Sequence, residues 1–327
     1  MKNKMVFSAI PGVSKPVSQL VFGTAIRPFL YAEDCCELLD AVLDAGINTL
    51  DTARNYGNSE YAIGNWLERS GRRDEVVLIS KCGHPTAENR HRLTEEEMRK
   101  DFQISSEALH TNYIDIYLLH RDDPTVDVGS IVEIFNALHA EGKIGAFGGS
   151  NWTHQRIEAA NEYAYKHGLI TFHVSSPNFG LADQQADPWG GGCVTISGPK
   201  NEDARQWYRE HNMPVVAYSS LGRGFFSGKV KSDAPKEAAS VLDVPAMKGY
   251  ANPDNFERLR RCEILAREKG VSVAQIAMSW IFRQQLPVHA VVSTLNLSRL
   301  ESNIQATALK LSPEEVQWLD LRRDEYA

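Results

Sequence analysis

The 327-residue sequence predicts an α/β protein built as a closed (β/α)8 TIM barrel, and three observations carry that reading. Short apolar runs alternate with helix-length amphipathic segments along the whole chain, which implies parallel strands joined by crossovers. The count comes to about eight such units, the number a closed barrel requires at this length. The isolated Asp, Lys, His and Tyr residues fall in the loops that follow strands. A doubly wound sheet is the alternative, but the turn Gly23-Thr24-Ala25-Ile26 lacks the glycine spacing of the dinucleotide fingerprint. We therefore expect one barrel domain over residues 1–327.

Met5 to Leu20 holds Pro11-Gly12 between two mixed runs and reads as an N-terminal β-hairpin. Leu20-Val21-Phe22 then enters Gly23-Thr24 as the first barrel strand. The next helix stripes Leu38, Leu39, Val42 and Leu43, with Gly46 at its end. Ile47 to Asp51 is the second strand, and Ile63, Trp66 and Leu67 mark the helix after it. Val76 to Ser80 ends in Lys81, after which Thr94 and Glu97 form a capping box. Ile114 to Leu119 ends in His120; Ile131, Ile134, Phe135 and Leu138 follow at helical spacing, stopped by Gly142.

The second half keeps this rhythm with longer interruptions. Ile144 to Phe147 runs into Gly148-Gly149-Ser150-Asn151, and Thr153 can cap the helix beyond. Leu169 to Val174 is strand-like and enters a long loop, Asn178 to Pro199. Pro214 to Tyr218 feeds a second one, Ser219 to about Asn255. Ser272 and Gln275 cap a helix with Val273, Ile276, Ala277 and Trp280; His289 to Val292 is the last strand, and Ser312-Pro313-Glu314-Glu315 opens the closing helix. The long loops thus follow strands 6 and 7.

A net charge of −7 without long single-sign blocks argues against nucleic-acid or anionic-membrane partners. The N-terminal segment has too short an apolar stretch for a signal peptide, and no run approaches membrane-spanning length, so a cytoplasmic location is expected. Five cysteines without C-x-x-C spacing suggest neither a disulfide framework nor a zinc site, and Cys82 beside Lys81 reads as a buried thiol.

In a barrel all post-strand loops open on one face, so Asp51, Tyr56, Lys81, His120, Asn151 and Tyr218 converge there. Taken singly each has an ordinary structural reading: Asp51 as a turn or cap, Lys81 as a snorkelling chain, His120 as a bonded core histidine, Tyr56 as loop packing. Their coincidence at the same end of successive strands points to chemistry. A phenol exchanges protons at neutral pH only if its anion is stabilised; a lysine can do that, an aspartate can hold the lysine, and a histidine can orient the substrate oxygen.

At these residues the chain resembles the aldo-keto reductase family from about Leu20 to the final helix. The motifs are D-T-A-x-x-Y-G at Asp51 to Gly57, Lys81, D-I-Y-L-L-H at Asp115 to His120, G-K-I-G-A-F-G-G-S-N at Gly142 to Asn151 and V-A-Y-S-S-L-G at Val216 to Gly222. The resemblance implies a tetrad of Asp51, Tyr56, Lys81 and His120, with tyrosine as the general acid or base and hydride exchanged with a nicotinamide; no metal takes part. It implies Ser150 and Asn151 on the carboxamide, Tyr218 stacked on the ring, and Ser219, Leu221, Gly222 and Arg223 in the loop over the pyrophosphate. Gly23, Thr24 and Asp51 join the cofactor set.

Near the C-terminus Ser293, Thr294 and the stretch from Arg299 through Ser302 to Asn303 match the adenosine end, with Arg299 placed for a 2′-phosphate. NADP(H) is thereby favoured and NAD(H) left open. The chain departs from the family where Ser175 or Ser176 replaces the usual strand-6 Gln, where Ser293 replaces a basic residue, and where Ser302 replaces an acid. Gly222 to Val230 looks like a phosphate-binding P-loop but has five residues between Gly222 and Gly228 and no Ser or Thr after Lys229.

The long loops, with Trp189, and the side chains of Trp152, Phe29 and Phe225 are candidates for the substrate wall beside Tyr56 and His120. The resulting expectation is an oxidoreductase acting on a small aldehyde, ketone or sugar, or on the corresponding alcohol. The competing expectation is a cofactor-binding regulatory subunit with little turnover.

Overall fold

The computed structural model of the protein describes residues 5–88 and 90–326; residues 1–4 of the N-terminal segment considered above lie outside that range. One compact unit covers Met5–Ser176 and a second begins at Pro177. The first opens with the expected hairpin, β1 (Phe7–Ser8) antiparallel to β2 (Val17–Ser18), with Phe7 opposite Ser18. It continues with β3 (Leu20–Gly23), α1 (Arg27–Leu30), α2 (Cys36–Asp44), β4 (Thr49–Asp51), α3 (Ser59–Ser70), β5 (Val77–Cys82) and α4 (Glu95–Ala108). Next come β6 (Ile114–Leu119), α5 (Val128–Ala140), β7 (Ile144–Ser150), α6 (His154–Lys166) and β8 (Val174–Ser176).

The second unit carries α7 (Glu202–Glu210), β9 (Val215–Ala217), α8 (Val244–Tyr250), α9 (Pro253–Lys269), α10 (Val273–Ile281), β10 (Val288–Val292), α11 (Leu297–Ala308) and α12 (Pro313–Leu319). Eight strands form a closed barrel in the order β10-β3-β4-β5-β6-β7-β8-β9, the predicted fold class. Every residue of β5, β6 and β7 is buried, as expected of parallel strands covered on both faces.

The local signals act as their chemistry dictates. Thr94, Ser272 and Ser312 each accept from the backbone of the residue three positions on, and Glu97, Gln275 and Glu315 reach back to complete capping boxes. The strand sought at Leu169 to Val174 begins only at Val174. Phe172 is drawn into an aromatic cluster with Phe135, Phe147 and Trp152, and the ladder to β7 starts where the His173 N–H donates to Phe147 O. That shift settles the register: Ser175 lies opposite Gly149 and Ser176 opposite Ser150. Gly148 permits the approach, because a Cβ there would stand 1.8 Å from Val174 O.

Candidate active site

Asp51 closes β4 and pairs with Ile79, while Cys82 pairs with Leu119, so the strand ends rise in the stagger of a barrel wall and bring Asp51, Lys81 and His120 together. Lys81 Nζ donates to Asp51 Oδ1 at 2.6 Å and to Thr52 O at 2.8 Å. It also lies 5.0 Å from the centre of the Tyr56 ring, and its charge and that of the phenol interact electrostatically. Two acceptors, a carboxylate and a peptide carbonyl, thus hold the ammonium in place beside the phenol. Tyr56 is delivered by a tight loop whose next residue, Gly57, has φ +54° and no room for a side chain, since a Cβ would stand 2.7 Å from Leu30 O.

A line of hydroxyls supports Asp51 from behind. Thr52 Oγ1 donates to Ser59 Oγ, Ser59 Oγ to Thr24 Oγ1 at 2.6 Å, and Thr24 Oγ1 to Asp51 O at 2.8 Å. Thr24 is therefore engaged in holding the strand end, and Gly23 pairs directly with Asp51. The His120 ring stands edge-on to Tyr56 with centroids 5.6 Å apart and planes at 78°. Its carbonyl accepts from Asn151 Nδ2 at 3.2 Å.

Electrostatics assigns the resting protonation. Burial raises the Tyr56 phenol above its ordinary range, against the pull of Lys81, so the phenol holds its proton at neutral pH. Burial works against charge on Lys81, but Asp51 and Tyr56 outweigh it and keep the ammonium charged. Burial also pushes the Asp51 carboxyl up, opposed by Lys81. His120 is driven well below the ordinary histidine range by burial, then by the positive charge of Lys81, leaving a neutral imidazole. The site holds one cation, one acid able to leave its proton, and one neutral ring. Such a set can protonate an oxygen and stabilise the phenolate that remains.

Beside it, Ser150 Oγ donates to Ser176 O at 3.0 Å and Asn151 N to the same carbonyl at 3.1 Å. Asn151 takes φ +60°, a conformation asparagine tolerates. In the second unit Ser219 and Arg223 also have positive φ, +54° and +51°, on either side of Gly222 at +58°. The resulting turn bonds Gly222 N to Ser219 O and Gly224 N to Leu221 O, and the N–H groups of Leu221 and Arg223 take no part in these bonds. Left-handed backbone with N–H groups outside the turn's own bonds and an adjacent guanidinium is a donor set that suits a pyrophosphate. Ser293 and Thr294 follow β10, and Arg299 is exposed in the first turn of α11. Ser302 lies 3.5 Å from the Ser272 hydroxyl, and Asn303 is buried.

The substrate-wall candidates divide sharply. Trp189 is 45% exposed, edge-on to Tyr218 at 6.3 Å and covered by the Arg223 guanidinium at 5.1 Å, which in turn pairs with Asp243. Trp152 is fully buried, its ring against Phe172 and under Arg156. Phe29 packs on Phe22, and Phe225 on Phe226 and the half-buried Phe256; both candidates are themselves fully buried. Two groups escaped sequence reasoning. The Thr52 carbonyl is a lysine acceptor that no side-chain pattern reveals, and His84 packs on His120; its one signal was a position three residues beyond Lys81.

The Aldo/keto reductase family profile matches residues 19–321. The chain belongs to that family. Family members generally use nicotinamide cofactors, which agrees with an oxidoreductase role. Aldo-keto reductase str7 of Strobilurus tenacellus is 27% identical over 281 residues, spanning 86% of this chain and 78% of the relative. Aldo-keto reductase YhdN of Bacillus subtilis is 26% identical over 291 residues, 85% of this chain and 80% of the relative. Aryl-alcohol dehydrogenase GME11368 of Pestalotiopsis microspora is 25% identical over 293 residues, 87% and 71% respectively. Among the described residues no helix is long and apolar enough to cross a membrane.

Proposed function

We propose that this aldo-keto reductase family member reduces a carbonyl compound, or oxidises the corresponding alcohol, with Tyr56 as proton donor or acceptor and NADP(H) as the preferred cofactor. The observation that supports it most is the Lys81 ammonium, bonded to Asp51 and standing 5.0 Å from the centre of the Tyr56 ring. In reduction the Tyr56 hydroxyl gives its proton to the carbonyl oxygen, and Lys81 stabilises the phenolate until solvent restores the proton. Neutral His120 donates a hydrogen bond to the same oxygen and fixes the carbonyl against Tyr56. A bound nicotinamide supplies the hydride to the carbonyl carbon. Ser150, Asn151 and Ser175 are assigned to the carboxamide, Tyr218 to the ring, and the turn from Ser219 to Arg223 to the pyrophosphate. The preference for NADP(H) rests on Arg299 as partner of the 2′-phosphate. We also propose that the whole chain acts as a single domain in the cytoplasm.

The test is NADPH and NADH oxidation over a panel of aliphatic and aryl aldehydes, ketones and sugars, with Tyr56→Phe beside the wild type. Aryl compounds enter because some relatives are named aryl-alcohol dehydrogenases and because Trp189 offers an exposed aromatic face. The expected result is turnover that falls by roughly 10²- to 10⁴-fold in Tyr56→Phe while NADPH still binds. Wild-type binding of NADPH without turnover on any compound overturns the reductase reading.

A further inference from the structure

Gly83 turns the chain directly after β5, with φ +70°, and has no space for a side chain between Leu119 and Leu93. Its N–H donates to Asp101 Oδ2 at 3.0 Å, which pins the turn to α4. The same backbone is tied to the end of β6, because His120 N donates to Cys82 O at 2.8 Å. Two residues on, His84 is thereby set against His120, with ring centroids 4.9 Å apart and planes at 76°. Tyr56, His120 and His84 form a row of three rings, each edge-on to the next.

The two histidines differ in what their nitrogens meet. His84 Nδ1 lies 2.9 Å from Pro85 O. A carbonyl can only accept, so Nδ1 carries the proton of the neutral ring. Burial first, then Arg121 and Arg92, lowers the basicity of His84 and keeps it neutral. His120 has its Nδ1 buried with no partner among the described residues. A proton there would be an N–H sealed from every acceptor, whereas on Nε2 it is available for donation. His120 is 6% exposed and His84 is only partly buried, so His84 is the more exposed ring at the far end of the row from Tyr56.

We propose that His84 is a positioning residue for His120. It clamps the inner imidazole against Tyr56 and keeps water from its Nδ1 side, so that the single proton stays on Nε2. The inference rests on the reductase reading, in which Nε2–H of His120 meets the substrate oxygen. Removing the outer ring lets water reach Nδ1, gives a proton there an acceptor, and mixes the two tautomers. The fraction of His120 that can donate to the substrate then falls, and its ring loses the wall that sets its angle.

The test uses the full chain with NADPH, as wild type, His84→Ala and His84→Phe, with the best aldehyde from the panel. Kinetics is paired with ¹⁵N spectra of the histidine side chains, His120 being assigned by its own substitution. In His84→Ala we expect kcat to fall about tenfold or more with KM and NADPH affinity within about threefold, and His84→Phe to recover kcat to within about threefold. The spectra should show one Nε2–H tautomer of His120 in wild type and His84→Phe, and a mixture in His84→Ala. Wild-type kcat in His84→Ala, equal losses in both variants, or an Nδ1–H tautomer in the wild type overturns the proposal. The last readout needs only the substitution that assigns His120 and no turnover, so it can overturn the positioning claim even where the reductase reading itself fails.

Discussion

Two buried carboxylates in the first unit make a useful contrast. Asp115, at the start of β6, bonds Arg73 Nη2 at 2.8 Å and Lys15 Nζ at 2.8 Å, and accepts from Leu78 N at 3.0 Å. The two cations also bind backbone: Arg73 reaches Val76 O and Tyr113 O, and Lys15 reaches Val76 O. Every partner is a permanent cation or a peptide group. Asp51, at the end of β4, has one cation, Lys81, and that cation also stands against a phenol, 5.0 Å from the centre of the Tyr56 ring. The first cluster joins strand starts and is chemically closed; the second joins strand ends and contains a group that can release a proton. A buried ion pair by itself says little about function, and what marks the Asp51 pair is the third member.

The largest expected effect breaks the pair at the strand ends. Lys81→Met should lower kcat/KM by roughly 10²- to 10⁴-fold with NADPH affinity retained, whereas Asp115→Asn should leave the kcat/KM of the folded protein within about threefold of wild type. The stability ranking ought to differ: Asp115→Asn strands two cations and should cost about 3–5 kcal/mol in denaturant unfolding. Similar kinetic losses in both variants would remove the distinction drawn here.

Acid probes the same unit without touching either pair. His173 is held down to about 4 by burial and by His139, and its Nδ1 accepts from Phe147 N–H at 3.4 Å, a bond that a proton on Nδ1 abolishes. Its folded value lies below the ordinary value of about 6.5, so the unfolded chain binds more protons between the two. The contribution is complete above about 6.5 and is lost as pH falls towards about 4. Burial depresses His120 in the same direction. Thermal melts at pH 7 and pH 5 should show a smaller acid loss for His173→Phe than for wild type, and equal losses would refute this assignment. The smallest effect belongs to Lys15→Met, which leaves Arg73 on Asp115 and should cost on the order of 1 kcal/mol with unchanged kinetics.

Much of this was legible in the chain because a barrel turns sequence order into geometry. Once Asp51, Lys81 and His120 are recognised as strand ends, closure brings them together. The hairpin at Pro11-Gly12 and the capping boxes were equally readable, since their partners lie within a few residues. What was hidden depends on distant packing. Helix α9 turns Arg258 and Arg261 inward, where they bind Asn255 Oδ1, Trp318 O and Arg323 O, so its buried face does not read as apolar. The positive φ at Ser219 and Arg223 is imposed on residues that do not announce it. The contact of His84 with His120 depends on the tight turn at Gly83, and the burial of Trp152 depends on Phe172 twenty residues on.

The exposure of Trp189 has an optical consequence. The chain has six tryptophans, and Trp66, Trp152, Trp207, Trp280 and Trp318 are all buried. Only Trp189 is open to a dissolved collisional quencher such as iodide, so the quenchable part of the intrinsic emission comes from the loop beside Tyr218 and Arg223. The protein therefore carries its own label at the edge of the region assigned to the cofactor.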